Sequence, residues 1–421
     1  MGRGSTGGPK SWRGIFASLG YPDFTLLWLG QITHAAALWL EQTARPLLIL
    51  DLTGSAVHLG LVILARTIPS VGFGLIAGVL VDSFNRRLIL VVTKVSVMAL
   101  SIAFVVLIVS GRLEIWHIYA FSFLRGATMA FDQPARRAMI PSIVPRHLIV
   151  NAMALSTGSM TAMRIFGASA AGLMIGFWGF EAPFIAIAVA YAFALVFTWM
   201  LRVPDHDRSG YQGMRQMGAD LVEGWRYAWQ SPSIRGVLMV GLGYFMFGMA
   251  FMQVFAPLFA TQVLDIGNGG FGLLVGTMGV GGLLGALVLA ATSPGKNRGK
   301  LMLVLLAVFG ALLILLSGVT YLPTFQAVIL AFAVVFLLGI GQSAFFPLIN
   351  ALLVELAPES MRGRMIALLS LDRAMTAVGG TLAGFLAASI GPQPAQIFFG
   401  LGCIATTALM WSSSAIVRQI D

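Results

Sequence analysis

Long apolar runs separated by short polar connections recur from one end of the chain to the other, as in Leu88 to Ser110, Phe180 to Leu201 and Leu301 to Leu316. A helix needs about 20 such residues to cross the hydrocarbon core of a bilayer. With the short connections usual between packed elements, the chain has room for about twelve crossings. The pattern predicts an all-α membrane protein. One long polar stretch interrupts it, running from Arg202 through Asp220, Glu223 and Arg226 to Ser231 and Pro232. Within it, Met217 to Trp229 spaces apolar and aromatic residues at helical intervals, which predicts an amphipathic helix lying along the membrane interface. The chain thus divides into an N-terminal bundle (1–201), a linker (202–234) and a C-terminal bundle (235–421).

The two flanking segments resemble each other when shifted by about half the chain. Gly60-Leu61 pairs with Gly272-Leu273 and Arg86 with Arg298. Gly126 matches Gly339, Pro134 matches Pro347, Pro145 matches Pro358 and Gly167 matches Gly380. A near-constant offset over several elements is the weak internal symmetry of transporters built from repeats, and it predicts two pseudo-symmetric six-helix bundles.

Composition agrees with burial in lipid: 58% of residues are hydrophobic and only 10% charged, against about 25% charged in soluble proteins. The net charge of +10 would suit nucleic acid, but its distribution points elsewhere. Arg3, Lys10, Arg13, Arg86, Arg87, Arg136, Arg137, Arg146, the linker arginines, Lys296, Arg298, Lys300, Arg362, Arg364 and Arg418 fall on one side, and Arg112 alone on the other. The positive-inside rule then puts both termini in the cytoplasm of a multi-pass protein of the cell inner or plasma membrane, with no nucleic-acid partner. The apolar run after Phe24 is longer than the core of a secretory signal and lacks a small-residue cleavage pattern, so no cleaved signal is expected. Cys403 is the lone cysteine and the five histidines are scattered, which predicts neither disulfide nor metal site. The chain has no H-E-x-x-H, no nucleophile elbow and no P-loop, so neither an enzyme nor a cofactor is expected.

The stretch Gly78-Val-Leu-Val-Asp82-Ser-Phe-Asn85-Arg86-Arg87 resembles the G-x-x-x-D-x-x-G-R-R loop signature of the major facilitator superfamily, with Asn85 in place of glycine and Ser83 in place of the usual basic residue. Asn tolerates a left-handed backbone, so the turn is expected to survive. Arg125-Gly126 and Phe131-Asp132-Gln133-Pro134-Ala135-Arg136-Arg137 resemble the fourth helix of drug and siderophore exporters related to macrolide efflux pumps, and Asn151, Arg164 and Gly167 continue the likeness. The drug-antiporter pattern of the fifth helix is incomplete: Gly158, Gly167 and Gly172 are kept, while Ala168 and Ala171 replace a proline and a glycine. The resemblance implies a secondary active transporter that exports small amphipathic molecules, drug-like or siderophore-like, by alternating access, as a monomer coupled to protons and in contact with membrane lipid. A lipid or lysolipid flippase and a non-transporting sensor are the alternatives. The signature implies a cytoplasmic gate of Gly78, Asp82, Arg86, Arg87 and Asp132, in which Arg86 or Arg87 pairs with Asp132 at the end of the fourth helix.

An ionisable group in mid-membrane costs about 2.5 to 3.5 kcal/mol on insertion scales and normally faces a cavity or a partner. Gln31, His34, Leu38, Glu41 and Arg45 share one face of the first helix. Two roles fit Glu41: neutralising Arg45, or binding a transported proton. Asp372, followed by Arg373, is the second proton-coupling candidate. Arg66, Arg125 and Arg164 give the N-terminal half an excess of cations, suited to a carboxylate or phosphate on the substrate or to backbone carbonyls. Lys94, nearer a helix end, is expected to snorkel. Tyr244, Phe247, Phe251 and Gln253 in the seventh helix, with Gln342, Phe345 and Phe346 in the tenth, offer aromatic area with a few hydrogen-bonding groups, a lining for amphipathic ligands on the faces that the resemblance turns to the central cavity. The substrate-cavity candidates are therefore Gln31, His34, Arg45, Arg125, Arg164, Tyr244, Phe247, Phe251, Gln342, Phe345 and Arg373.

Overall fold

The apolar runs form helices that cross the molecule in twelve passes. The computed structural model describes residues 16–202, 214–292, 297–368, 371–413 and 418. The first half contains α1 (Pro22–Thr53), α2 (Ala56–Ser83), α3 (Arg86–Val109), α4 (Ile115–Ile143), α5 (Ile149–Trp178) and α6 (Glu181–Met200). A helix on the linker, α7 (Met214–Gln230), leads into the second half. There α8 (Pro232–Val263), α9 (Gly267–Thr292), α10 (Arg298–Ser317) and α11 (Thr324–Leu356) are followed by α12 (Arg362–Leu368), α13 (Leu371–Ile390) and α14 (Pro392–Ser413). The basic residues Arg3, Lys10, Arg13, Arg208 and Lys296 lie outside the described residues.

Local chemistry sets the helix ends. Pro22 and Pro232 open α1 and α8, where a missing N–H costs nothing. Gly54 closes α1 at φ 63°, a left-handed position that disfavours a Cβ. Asn85 does not use the left-handed backbone expected of it. It sits at φ −60° and its side chain accepts hydrogen bonds from the backbone N–H groups of Arg87 and Leu88. The asparagine thus serves as the N-cap of α3, a role that glycine's missing side chain leaves open.

Glycines bring the helices together as the repeat predicts. A Cβ on Gly126 of α4 would run into the carbonyl oxygen of Arg66 in α2, and one on Gly339 of α11 into that of Met278 in α9. Arg66 and Met278 are related by nearly the same shift as the two glycines, so each half is clamped by an equivalent backbone-to-backbone seam. Small residues permit such approaches in lipid, where dispersion and close packing replace the hydrophobic drive. The halves meet along two further seams. Added Cβ atoms would lie 2.7 Å from the Gly272 Cα for Gly172, and 2.7 Å from the Gly380 carbonyl oxygen for Gly60. These α5–α9 and α2–α13 contacts are again related by the repeat.

The linker helix rests on the second half. Glu223 pairs with Arg364 of α12 at 2.8 Å, and Gly224 packs beneath the Arg364 side chain. Trp225 and Trp229 stack at 5.5 Å and both are partly exposed, the placement expected of a helix at a membrane interface.

Candidate functional site

A cavity of about 480 Å3 lies between the halves, lined from α1, α2 and α5 on one side and from α8, α9, α11 and α13 on the other. Its volume falls within the range of small-molecule sites, about 300 to 1,000 Å3. Helix α5 shows how it is closed. Thr157, Thr161 and Arg164 line the cavity, while further along the helix Ile165, Ser169 and Gly172 press against Gly279, Gly276 and Gly272 of α9. The halves therefore close on each other along α5 beyond the cavity, on the side where α1 joins α2, and at the opposite end Arg373 of α13 meets Gln133 of α4.

Seven of the predicted residues line this space: Arg45, Arg164, Tyr244, Gln253, Gln342, Phe346 and Asp372. Arg164 reaches across the divide, donating to Gln342 Oε1 while its guanidinium lies 5.4 Å from the Trp39 ring centroid. Asp372 sits in the first described turn of α13, and its Oδ1 has no hydrogen-bond partner among the described residues. Arg373 points elsewhere, to Gln133 of α4 at 2.7 Å and Ser70 of α2 at 3.4 Å.

Phe247, Phe251 and Phe345 do not line the cavity. Phe247 packs on Phe399, Phe345 on Tyr244, and Phe251 is 1% exposed. For Phe247 and Phe251 the cause is the winding of α8, which contains π-helical segments at Tyr244–Gly248, Phe251–Phe255 and Phe259–Val263. Bonds from i to i+5 rotate successive residues away from the face that a regular helix would give. Tyr244, Met249 and Gln253, spaced by five and four, face the cavity together with Phe245 and Met252.

The remaining predicted residues form two buried charge clusters inside the first half. Glu41 stands between two guanidiniums, pairing with Arg45 and, at 3.1 Å, with Arg125 Nε. Arg125 also donates to the Tyr191 hydroxyl, and Arg45 donates to Ser122 Oγ at 3.2 Å. In the second cluster Asp132 pairs with Lys94 and Arg136. His34 Nδ1 is 3.1 Å from the Lys94 ammonium and its Nε2 is 3.9 Å from Asp132. Tyr191 of α6 bridges the clusters, meeting the His34 ring edge-on at 5.7 Å. Gln31 donates to the Ser156 carbonyl at 3.0 Å, tying α1 to α5. Lys94 is thus 4% exposed and paired, where snorkelling was expected.

Asp132 lies within α4 rather than at its end, and it pairs with Lys94 and Arg136 in place of Arg86 or Arg87. Arg86 begins α3, about 12 Å along the axis from Lys94 at 1.5 Å per residue. Its guanidinium donates to the Ala138 carbonyl at 2.9 Å, and Arg87 donates to the Trp199 carbonyl. Gly78 and Asp82 belong to α2, and nothing beyond their backbone lies among the described residues.

Trp39 and Gln42 were not singled out by the sequence, and Arg66 only as a buried cation. Trp39, Gln42, Pro46 and Ile49 form a cavity-facing stripe beside the polar stripe of Gln31 to Arg45, legible as a second row at steps of three and four.

Two bundles joined through glycine seams around a central cavity are the architecture of secondary transporters built from repeats. The sequence profile of the Major Facilitator Superfamily matches residues 27–371 and again 310–415, and the chain belongs to that family. It is 27% identical over 374 residues to the multidrug efflux pump Tap of Mycolicibacterium fortuitum, covering 87% of this chain and 89% of the relative. The staphyloferrin A transporter of Staphylococcus aureus is 21% identical over 89% of this chain and 91% of its own length. Macrolide efflux protein A of Streptococcus pyogenes is 24% identical over 58% and 60%, respectively. In fold, the chain matches the nucleoside transporter NupG with a TM-score of 0.74 at 11% identity, over 93% of this chain and 99% of that one. A D-xylose–proton symporter gives a TM-score of 0.69 at 13% identity, over 96% and 98%. The chain is a multi-pass membrane transporter of small molecules and not an enzyme.

Proposed function

We propose that this protein exports small amphipathic molecules of drug or siderophore type from the cytoplasm in exchange for protons, by alternating access around the central cavity. The observation that carries the reading is a cavity between two repeat-related halves, closed on one side by the α5–α9 seam, with an unpartnered carboxyl oxygen of Asp372 in its wall. The names of the multidrug and macrolide relatives support export. With the basic connections in the cytoplasm, the end closed by the α5–α9 seam is extracellular. Residues 1–201 and 235–421 act as the two rocking bodies, with 202–234 between them. The signature loop holds α3 against α4 through Arg86 and Ala138, and Arg373 with Gln133 forms the cytoplasmic contact that changes during rocking. The flippase and sensor alternatives have no counterpart among the relatives named above.

Coupling is assigned to Asp372 in preference to Glu41, because Glu41 is enclosed by two guanidiniums and does not line the cavity. A carboxyl that exchanges protons with the substrate pathway must be reachable from it. The test is transport of a panel of amphipathic solutes in proteoliposomes under an imposed pH gradient. Asp372→Asn should abolish gradient-driven movement while leaving binding measurable. Loss of coupling in correctly folded Glu41→Gln, with Asp372→Asn active, would move the role to α1. Retention in both variants would sink proton coupling through either group.

A further inference from the structure

We infer that the cavity selects amphipathic anions, whose carboxylate, sulfonate or phosphate head is received by Arg164 and Trp39 at the junction of the halves. The inference rests on the transport reading only in taking this cavity as the substrate site. It comes from an inventory of the polar groups that face the cavity. Arg45 is neutralised from behind by Glu41. Arg66 donates to Gln42 at 3.2 Å, and Arg164 donates to Gln342, so neither pairs with a carboxylate among the described residues. Against these two guanidiniums stands the single carboxylate of Asp372. The wall is cationic on balance.

Unmet hydrogen bonds of both kinds occur in the lining: beside the acceptor Asp372 Oδ1 and the Tyr244 hydroxyl stand two donors. Arg164 Nε and Trp39 Nε1 are buried N–H donors without acceptors among the described residues, and both belong to residues lining the cavity. The Gln342 amide nitrogen has the Met249 sulfur at 3.5 Å as its acceptor, and a thioether accepts hydrogen bonds weakly. Two unmet donors on α1 and α5 and a weakly met one on α11 therefore belong to side chains that touch in series, Trp39 with Arg164 and Arg164 with Gln342, and a buried donor left unmet costs about 1 to 3 kcal/mol. An oxyanion fills that need and gains charge-assisted bonds from the guanidinium fork. The space beside it is apolar: Met249, Met252, Phe245 and Phe346, flexible thioethers and rings that adapt to varied hydrophobic bodies. Because the cluster draws from both halves, a bound anion also bridges the bodies that alternating access must separate.

The test uses two ligands with one aromatic body and opposite charge, 1-naphthaleneacetate and 1-naphthylmethylammonium, titrated calorimetrically into the purified full-length protein in maltoside detergent. The carboxylate should bind more tightly than the ammonium. Arg164→Gln should weaken the carboxylate at least about tenfold, the loss of one charge-assisted bond. Arg164→Lys should keep part of the affinity, and Trp39→Phe, which retains the ring and deletes the N–H, should weaken it a few-fold. Each variant must match the wild type in monodispersity. Tighter binding of the ammonium, an unchanged carboxylate affinity in Arg164→Gln, or no saturable heat from the carboxylate would each overturn the inference. Carboxylate binding without pH-driven transport would leave the inference standing and defeat proton-coupled export instead.

Discussion

Glu41 is held by two arginines from different helices, and its removal leaves both guanidiniums in the interior without an anion. Breaking a buried pair from one side costs about 3 to 5 kcal/mol. Glu41→Gln should therefore lower the thermal unfolding midpoint in detergent clearly, and the double variant Glu41→Gln/Arg125→Gln should recover part of the loss. A midpoint for Glu41→Gln equal to wild type would show that the cluster contributes little. The polar stripe from Gln31 to Arg45 was legible because side chains three and four apart share a helix face. The partner of Lys94 was not. Its depth was judged from its own helix, whereas the carboxylate that receives it lies 38 residues further along the chain. Sequence spacing within one helix carries no record of which residues a later helix will bring to it.

At the scale of elements, the glycines of the repeat separate into those that hold helices together and those that do not. Gly126→Ala and Gly339→Ala should destabilise the protein by similar amounts, about 1 to 3 kcal/mol each, since each methyl group meets a carbonyl oxygen of the neighbouring helix. Gly158→Ala, with open space where its Cβ would stand, should be neutral or slightly stabilising. Thermal denaturation of the three variants checks the ranking, and a neutral Gly126→Ala would show that the seam yields. The repeat was readable as paired letters at a fixed shift, and these seams are its physical content. The face of α8 was not readable, because nothing in Tyr244 to Phe255 announces a π-helical turn. Met249→Trp should fill the cavity and lower the affinity for amphipathic solutes several-fold, whereas Phe251→Leu should leave it unchanged. The reverse result in equilibrium binding would restore the regular-helix assignment.

For the whole molecule, the α5–α9 seam and the cavity are two aspects of one conformation. Gly172→Leu should prevent α5 from closing on α9 and shift the population away from the sealed state. Spin labels at Ser55, just before α2, and Ser389, at the end of α13, introduced by cysteine substitution with the buried native Cys403 retained, should move apart by several ångströms in pulsed dipolar measurements, a scale set by the volume of the added side chain. An unchanged distance distribution would show that the α5–α9 seam does not govern closure. The twelve-helix plan was legible from apolar length and repeat, yet a hydropathy criterion alone finds ten spans and omits α1 and α4. Those two helices carry the buried clusters, so the chemistry that makes them useful also makes them hard to recognise. The same property bears on how the chain is made. Glu41 and Arg45, one turn apart, enter the bilayer as a self-compensating pair within α1, and Asp132 with Arg136 do the same within α4. Arg125 has no acid on its own helix at pairing distance, and its counter-ion is already installed in α1 when α4 leaves the translocon. The first helix is thus an assembly chaperone for the fourth, and loss of Glu41 should appear in cells first as rapid proteolysis of newly made protein.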